Sequence, residues 1–157
     1  GLWIMKNIIL NEKVPNFELE GTNNFSFNLS DFIGKYVVIY FYPKDSTPGC
    51  TNESIDFKEN FNKFKKLNVE IFGVSRDSIK SHENFKAKYD FPFELLSDAD
   101  EIACNLFDVI KMKNMYGKKV RGIERSTFLI NPEGKLIHQW RGVKVNGHIN
   151  EILQVLN

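Results

Sequence analysis

Tyr36-Val37-Val38-Ile39-Tyr40-Phe41-Tyr42 followed by Pro43-Lys44-Asp45-Ser46-Thr47-Pro48-Gly49-Cys50-Thr51 is the stretch that decides the fold. The unbroken apolar run, bounded by Gly34 and Pro43, marks a strand buried on both faces. Past Cys50 the period changes. Phe57, Phe61, Phe64 and Leu67 recur at helical spacing and form one apolar stripe. A strand that hands over to a helix at a cysteine places the thiol among free backbone N–H groups. There the helix dipole favours negative charge, and the anionic sulfur is the nucleophile. At about 100° per residue, Cys50 and Glu53 project towards the stripe and Ile55 almost opposite it. The thiol is therefore expected partly buried, against the body of the protein.

Working outward, Val14–Leu19 and Asn24–Leu29 alternate and read as short strands, with Ser30-Asp31 capping a helical turn that ends at Gly34. Val69–Ser75 is the next strand, Ser78–Tyr89 a helix and Phe93–Leu96 a short strand. Ser97-Asp98 starts a helix that carries Ile102, Leu106 and Phe107. Ser126–Ile130 and Lys135–Trp140 read as a hairpin around Asn131-Pro132-Glu133-Gly134. His148–Leu156 is a terminal helix. Strand and helix alternate, then a hairpin and a helix follow. This is the order of a thioredoxin-like α/β fold with a central mixed sheet flanked by helices. No linker divides it, so residues 6–157 are expected to form one domain. Residues 1–5 read as a leftover ahead of a natural start at Met5, or as a disordered start.

The pattern Pro43-x-x-x-Thr47-x-x-Cys50 resembles the active-site signature of the peroxiredoxins, and Phe41 to Thr51 resembles their bacterioferritin comigratory protein, or PrxQ, branch. The resemblance continues through Gly73–Ser78, Leu95–Asp98, Gly122–Ile130 and Trp140–His148. Ordered blocks over nearly the whole chain from Lys6 are far more specific than one short motif. The resemblance implies a thioredoxin-like fold with N-terminal strand additions. It also implies an enzyme that reduces hydrogen peroxide and organic hydroperoxides.

It gives each part of that chemistry a residue. Peroxide reduction is attack by a thiolate on an O–O bond, leaving a sulfenic acid. It needs donors for charge on the departing oxygen. Cys50 matches the peroxidatic cysteine and Thr47 the threonine that orients thiolate and peroxide. Pro43 matches the proline that shields the pocket. Arg125 matches the arginine that favours the thiolate and polarises the peroxide. Glu53 matches the acid that holds this arginine, and the helical projection independently puts it on the side of Cys50. Outside the motif each has a plainer reading. Thr47 is then a turn cap, Arg125 a surface arginine, Glu53 a first-turn acid and Cys50 a small hydrophobe.

The chain departs from the branch in its second cysteine. Many members carry a resolving cysteine five residues after the first, where Ile55 stands here. Others carry it in the following helix, where Lys86 stands. Cys104 is the one remaining candidate. On a helix started at Ser97-Asp98 it projects away from the face of Ile102, Ala103, Leu106 and Phe107. It is therefore expected to be accessible to redox chemistry. Two recycling routes follow: a one-Cys cycle that ends with thioredoxin or another external thiol, and a cycle resolved by Cys104. A different class also stays open, a redox sensor whose Cys50 oxidation is relayed to a partner protein. A thioredoxin-type disulfide reductase is not expected, since no Cys-x-x-Cys is present.

Two cysteines in 157 residues make no disulfide framework and suit a reducing, cytoplasmic setting. A formal charge of +1 gives no pull towards nucleic acid or membrane. His82, His138 and His148 show no metal spacing, and no phosphate-binding glycine loop is present. No metal, flavin, nucleotide or other cofactor is expected. His148 reads as structural, at a helix start. The lysines 111, 113, 118 and 119 with Arg121, around Tyr116-Gly117, read as a solvated loop, with a docking surface as the alternative. The resemblance to the PrxQ branch implies a monomer, or at most a weak dimer.

Overall fold

A computed structural model describes residues 7–157. The expected leftover or disordered start at 1–5 lies outside the described residues. The strands are β1 (Glu18–Gly21), β2 (Ser26–Asn28), β3 (Tyr36–Phe41), β4 (Val69–Ser75), β5 (Glu94–Ser97), β6 (Ile110–Met115), β7 (Lys118–Ile123), β8 (Ser126–Ile130) and β9 (Leu136–Arg141). The helices are α1 (Pro48–Glu59), α2 (Phe61–Lys66), α3 (Ile79–Tyr89), α4 (Ile102–Leu106) and α5 (His148–Leu156), with a 3-10 turn at Leu29–Phe32.

Seven strands form one mixed sheet in the order β2-β1-β5-β4-β3-β8-β9. β3 lies inside it, parallel to β4 and antiparallel to β8. Its continuous apolar sequence is needed because both faces are covered. Val37, Ile39 and Phe41 enter one core with Phe17, Phe107 and Phe128. Val38 and Tyr40 enter the other with Cys50, Phe57, Phe64 and Phe85. The sheet thus separates two cores. Gly73 on β4 makes room for the Tyr40 ring, since a Cβ there would lie 2.7 Å from it. Tyr40 in turn stacks on Phe57 of α1 at 4.4 Å between ring centres, which seats that helix on the sheet.

Three expectations are corrected. The helical stripe after Cys50 is broken at Asn60, whose side chain donates to the Asp56 carbonyl at 2.8 Å, so α1 and α2 are separate helices. Phe57 and Phe64 are buried as expected, and Phe61 and Leu67 only partly.

The basic segment read as a loop is a hairpin. β6 and β7 pair from Ile110 opposite Ile123 to Met115 opposite Lys118. Tyr116 (φ 53°) and Gly117 (φ 79°) close it with two left-handed residues, the turn that suits a two-residue hairpin.

Cys104 is not exposed. The helix starts at Ile102 rather than Ser97, with a left-handed Glu101 (φ 59°) before it. Ile102 points to solvent, 52% exposed, while Cys104 is fully buried in the core with Phe17, Phe41 and Phe107.

Candidate active site

The turn from β3 to α1 sets Cys50 at the third position of the helix. Thr47 is the N-cap and Pro48 the first helical residue, where the missing N–H costs nothing. Cys50 is buried, 1% exposed, deeper than the expected partial burial. Arg125, between β7 and β8, reaches over the helix start. Its Nη2 donates to Cys50 Sγ at 3.4 Å and its Nη1 to Glu53 Oε1 at 2.8 Å. One guanidinium fork therefore links the thiol and the carboxylate. Gly49 leaves space for it, since a Cβ there would come within 3.2 Å of Nη2.

Glu53 is as buried as Cys50. Burial pushes its carboxyl up to about 7, against the charge and hydrogen bond of Arg125, which pull it down. Its second oxygen, Oε2, is buried and makes no hydrogen bond among the described residues. Burial works against the charge on Arg125. Glu53 and Cys50 outweigh it and hold the guanidinium above its ordinary value. The arrangement presents a sulfur at a helix N-terminus with a fixed cation beside it, the electrostatic setting that an anionic nucleophile requires.

Of the other expected residues, Thr47 is half-buried and donates from Oγ1 to the Lys44 carbonyl at 2.8 Å, within the loop. Pro43 is half-buried in the same loop. Cys104 is not brought to the site and belongs to the opposite core. Ile55 is partly buried, and Lys86 is paired with Glu94 at 2.6 Å. His148 is buried with Nε2 2.7 Å from Thr127 Oγ1, which fits its structural reading.

One group of residues at the site was not foreseen. Asp45, in the Cys50 loop, is buried and accepts from Tyr42 Oη at 2.6 Å and Ser81 Oγ at 2.8 Å. His82 Nδ1 lies 2.7 Å from Asp45 Oδ2, and Nε2 lies 2.9 Å from the Leu96 carbonyl. Both ring nitrogens are thus within hydrogen-bond distance of an oxygen partner. The loop is thereby tied to α3 and β5. Asp45, Asp77 and His82 are also the one cluster of metal-ligand type among the described residues. Tyr42, Ser75 and Ser81 already occupy these carboxylates, so the group reads as a polar clamp. The only sequence signals were an aspartate beside the motif and a histidine in α3, far apart in the chain.

The AhpC/TSA family model matches residues 10–139. The chain belongs to the AhpC/TSA family. Within it the similar proteins are peroxiredoxins of the Bcp, or PrxQ, branch. Peroxiredoxin Bcp of Xanthomonas campestris pv. campestris is 60% identical over 123 residues, covering 78% of this chain and 77% of that protein. Peroxiredoxin Bcp of Bacillus subtilis is 50% identical over 149 residues, covering 95% of each. The structure of Xylella fastidiosa PrxQ superposes with a TM-score of 0.90 at 44% identity over 96% of each chain. The bacterioferritin comigratory protein of X. campestris, described for alkyl peroxide reduction activity, gives 0.85 at 54% identity over 89% of each. This peroxiredoxin accordingly has the thioredoxin-like fold and is a thiol peroxidase.

Proposed function

We propose that Cys50 is the thiol that attacks the peroxide, and that hydrogen peroxide and organic hydroperoxides are both substrates. The observation that carries this is the Arg125 fork between Cys50 Sγ and Glu53. The Cys50 thiolate attacks one peroxide oxygen. The S–O bond forms as the O–O bond breaks, and hydroxide or alkoxide leaves and takes a proton from water. Arg125 stands beside the sulfur to receive charge on the departing oxygen. Thr47, at the helix N-cap, and Pro43 border the approach to Cys50, and Glu53 positions Arg125.

The sulfenic acid is then reduced by an external thiol, thioredoxin or a similar reductant, in a one-Cys manner. The absence of cysteine at 55 and 86 supports this, as does the burial of Cys104 in the other core. The protein acts as a monomer in a reducing, cytoplasmic setting, without a cofactor. No helix among the described residues is long and apolar enough to cross a membrane.

The test is intact mass after one equivalent of hydrogen peroxide, with and without a sulfenic-acid trap. A trapped adduct on Cys50, with Cys104 free, is expected. An unmodified Cys50 would overturn the assignment.

A further inference from the structure

The β6–β7 hairpin carries a concentration of charge and apolar surface that neither the sheet nor the catalytic site uses. Lys111, Lys113, Lys118, Lys119 and Arg121 stand on it without a single acid. The whole chain carries a formal charge of +1, so the rest is at −4. Met112, Met115 and Val120 are exposed on the same two strands, and Tyr116 in their turn is 100% exposed. These are four of the nine large exposed apolar residues among the described residues, and a soluble surface does not concentrate them without use. β6 and β7 pair only with each other, outside the main sheet.

The base of the hairpin adjoins the site. Glu124 alone separates the end of β7 from Arg125, and its N–H donates to the Val109 carbonyl at 2.7 Å. Six-residue strands at about 3.4 Å per residue reach roughly 20 Å outward. The two faces differ. Met112 opposite Arg121, with Asn114 opposite Lys119, share the face where Arg121 is held by Glu101. Lys113 opposite Val120, with Met115 opposite Lys118, share the other. On that face Lys113 donates to the Ile123 carbonyl at 2.6 Å. Burial lowers the Lys113 amine, and Arg125 adds to this, while Glu124 and Cys50 act in the opposite sense. Lys113, on this face, thus sits at the base of the hairpin, close enough to Arg125 and Cys50 to feel their charges.

We propose that the Lys113–Met115–Lys118–Val120 face of the hairpin is the docking surface for a protein dithiol reductant with an acidic, apolar-centred contact face. The inference rests on the reading of Cys50 as the peroxidatic thiol. With no resolving cysteine at 55 or 86, the reductant must reach Cys50 itself and be held there for two steps. Its first thiolate attacks Cys50 Sγ. An S–S bond forms, the S–O bond breaks, and hydroxide leaves and takes a proton to become water. Its second thiol loses a proton and attacks the partner's own sulfur in the mixed disulfide. Cys50 departs as thiolate, and the partner leaves as an intramolecular disulfide. An anionic membrane would also meet lysines beside methionines. It would not explain why the hairpin springs from beside Arg125, the partner of Cys50.

The experiment uses the full chain and two charge-matched variants, Met115→Glu/Lys118→Glu on the docking face and Met112→Glu/Lys119→Glu on the other. Turnover is measured with thioredoxin and with dithiothreitol, and the peroxide reaction of Cys50 is measured by stopped flow. The first variant is expected to lose about tenfold or more in kcat/KM for thioredoxin. The second is expected to change less than about twofold. Both should keep the wild-type peroxide rate and dithiothreitol turnover. Equal losses in the two variants would overturn the face, and wild-type thioredoxin turnover in the first would overturn the docking. A wild type served by dithiothreitol and not by thioredoxin would also overturn it, in favour of a small thiol. So would binding to phosphatidylserine vesicles lost in the first variant while thioredoxin turnover is kept. Failure of Cys50 to react with peroxide at all would instead strike the catalytic assignment.

Discussion

At the scale of single residues, the site depends on one guanidinium serving two partners. Lysine would keep the charge of Arg125 but not the fork that reaches Glu53 and Cys50 together. Arg125→Lys is therefore expected to slow the reaction of Cys50 with hydrogen peroxide by about 10- to 100-fold, less than the roughly 100- to 1000-fold of a donor lost outright, because the charge stays. Stopped-flow rates decide it, and an unchanged rate would remove Arg125 from the chemistry. Glu53 yields a second prediction. Its folded carboxyl sits at about 7 against an ordinary 4.5, so between these values the folded protein holds a proton that the unfolded chain has released. Stability from this group is full below about pH 4.5 and is lost as pH rises through 7. The effect is on the order of 3 kcal/mol. Glu53→Gln should flatten this dependence. Urea unfolding at pH 5 and pH 7.5 compares the two, and equal slopes in wild type and variant would sink it.

At the scale of elements, the Cys50 loop is held from behind. Asp45 accepts from Tyr42, Ser81 and His82, which ties the segment before α1 to α3 and β5. Asp45→Asn takes one acceptor oxygen from the set shared by Tyr42, Ser81 and His82, and leaving a buried polar group unsatisfied costs about 1–3 kcal/mol. The expected result is lower global stability, with hydrogen exchange at residues 44–51 accelerated more than in β4. Uniform acceleration would mean that the clamp does not act on the loop.

β3 and α1 were legible in the sequence, because a doubly buried strand and a helical stripe are patterns of hydrophobicity. Cys50, Glu53 and Arg125 were legible as a motif, and Glu53 also as a helical projection. Asp45 and His82 were not, since two polar residues 37 positions apart leave no periodic trace. The β6–β7 hairpin escaped for a related reason. Beyond Ile110 and Ile123 at its base most of its residues are exposed, so lysine and methionine mingle without the alternation that a buried face imposes. Cys104 was misplaced because Ile102 was counted on the buried face; Ile102 is exposed, and the face that packs is that of Ala103, Cys104 and Phe107.

At the scale of the whole molecule, the sheet keeps the two cysteines apart. Cys50 lies in the core of Tyr40 and Phe57, and Cys104 in that of Phe17 and Phe107, on the other side of β3. A disulfide needs Cα atoms within about 7 Å, whereas packed layers stand about 10 Å from a sheet. Burial first, then the carboxylates of Asp98 and Glu101, pushes the Cys104 thiol far above its ordinary value, so it supplies almost no thiolate. Exchange between the two would require opening a core rather than a loop. Cys104→Ser is therefore expected to keep thioredoxin-dependent turnover within about twofold, while burial of a hydroxyl costs about 1–3 kcal/mol in urea. In the wild type, alkylation of Cys104 should proceed only as fast as global unfolding, and peroxide should leave it reduced. A Cys50–Cys104 disulfide found by mass after peroxide, together with lost turnover in Cys104→Ser, would show that the native core opens during the cycle and that Cys104 resolves Cys50.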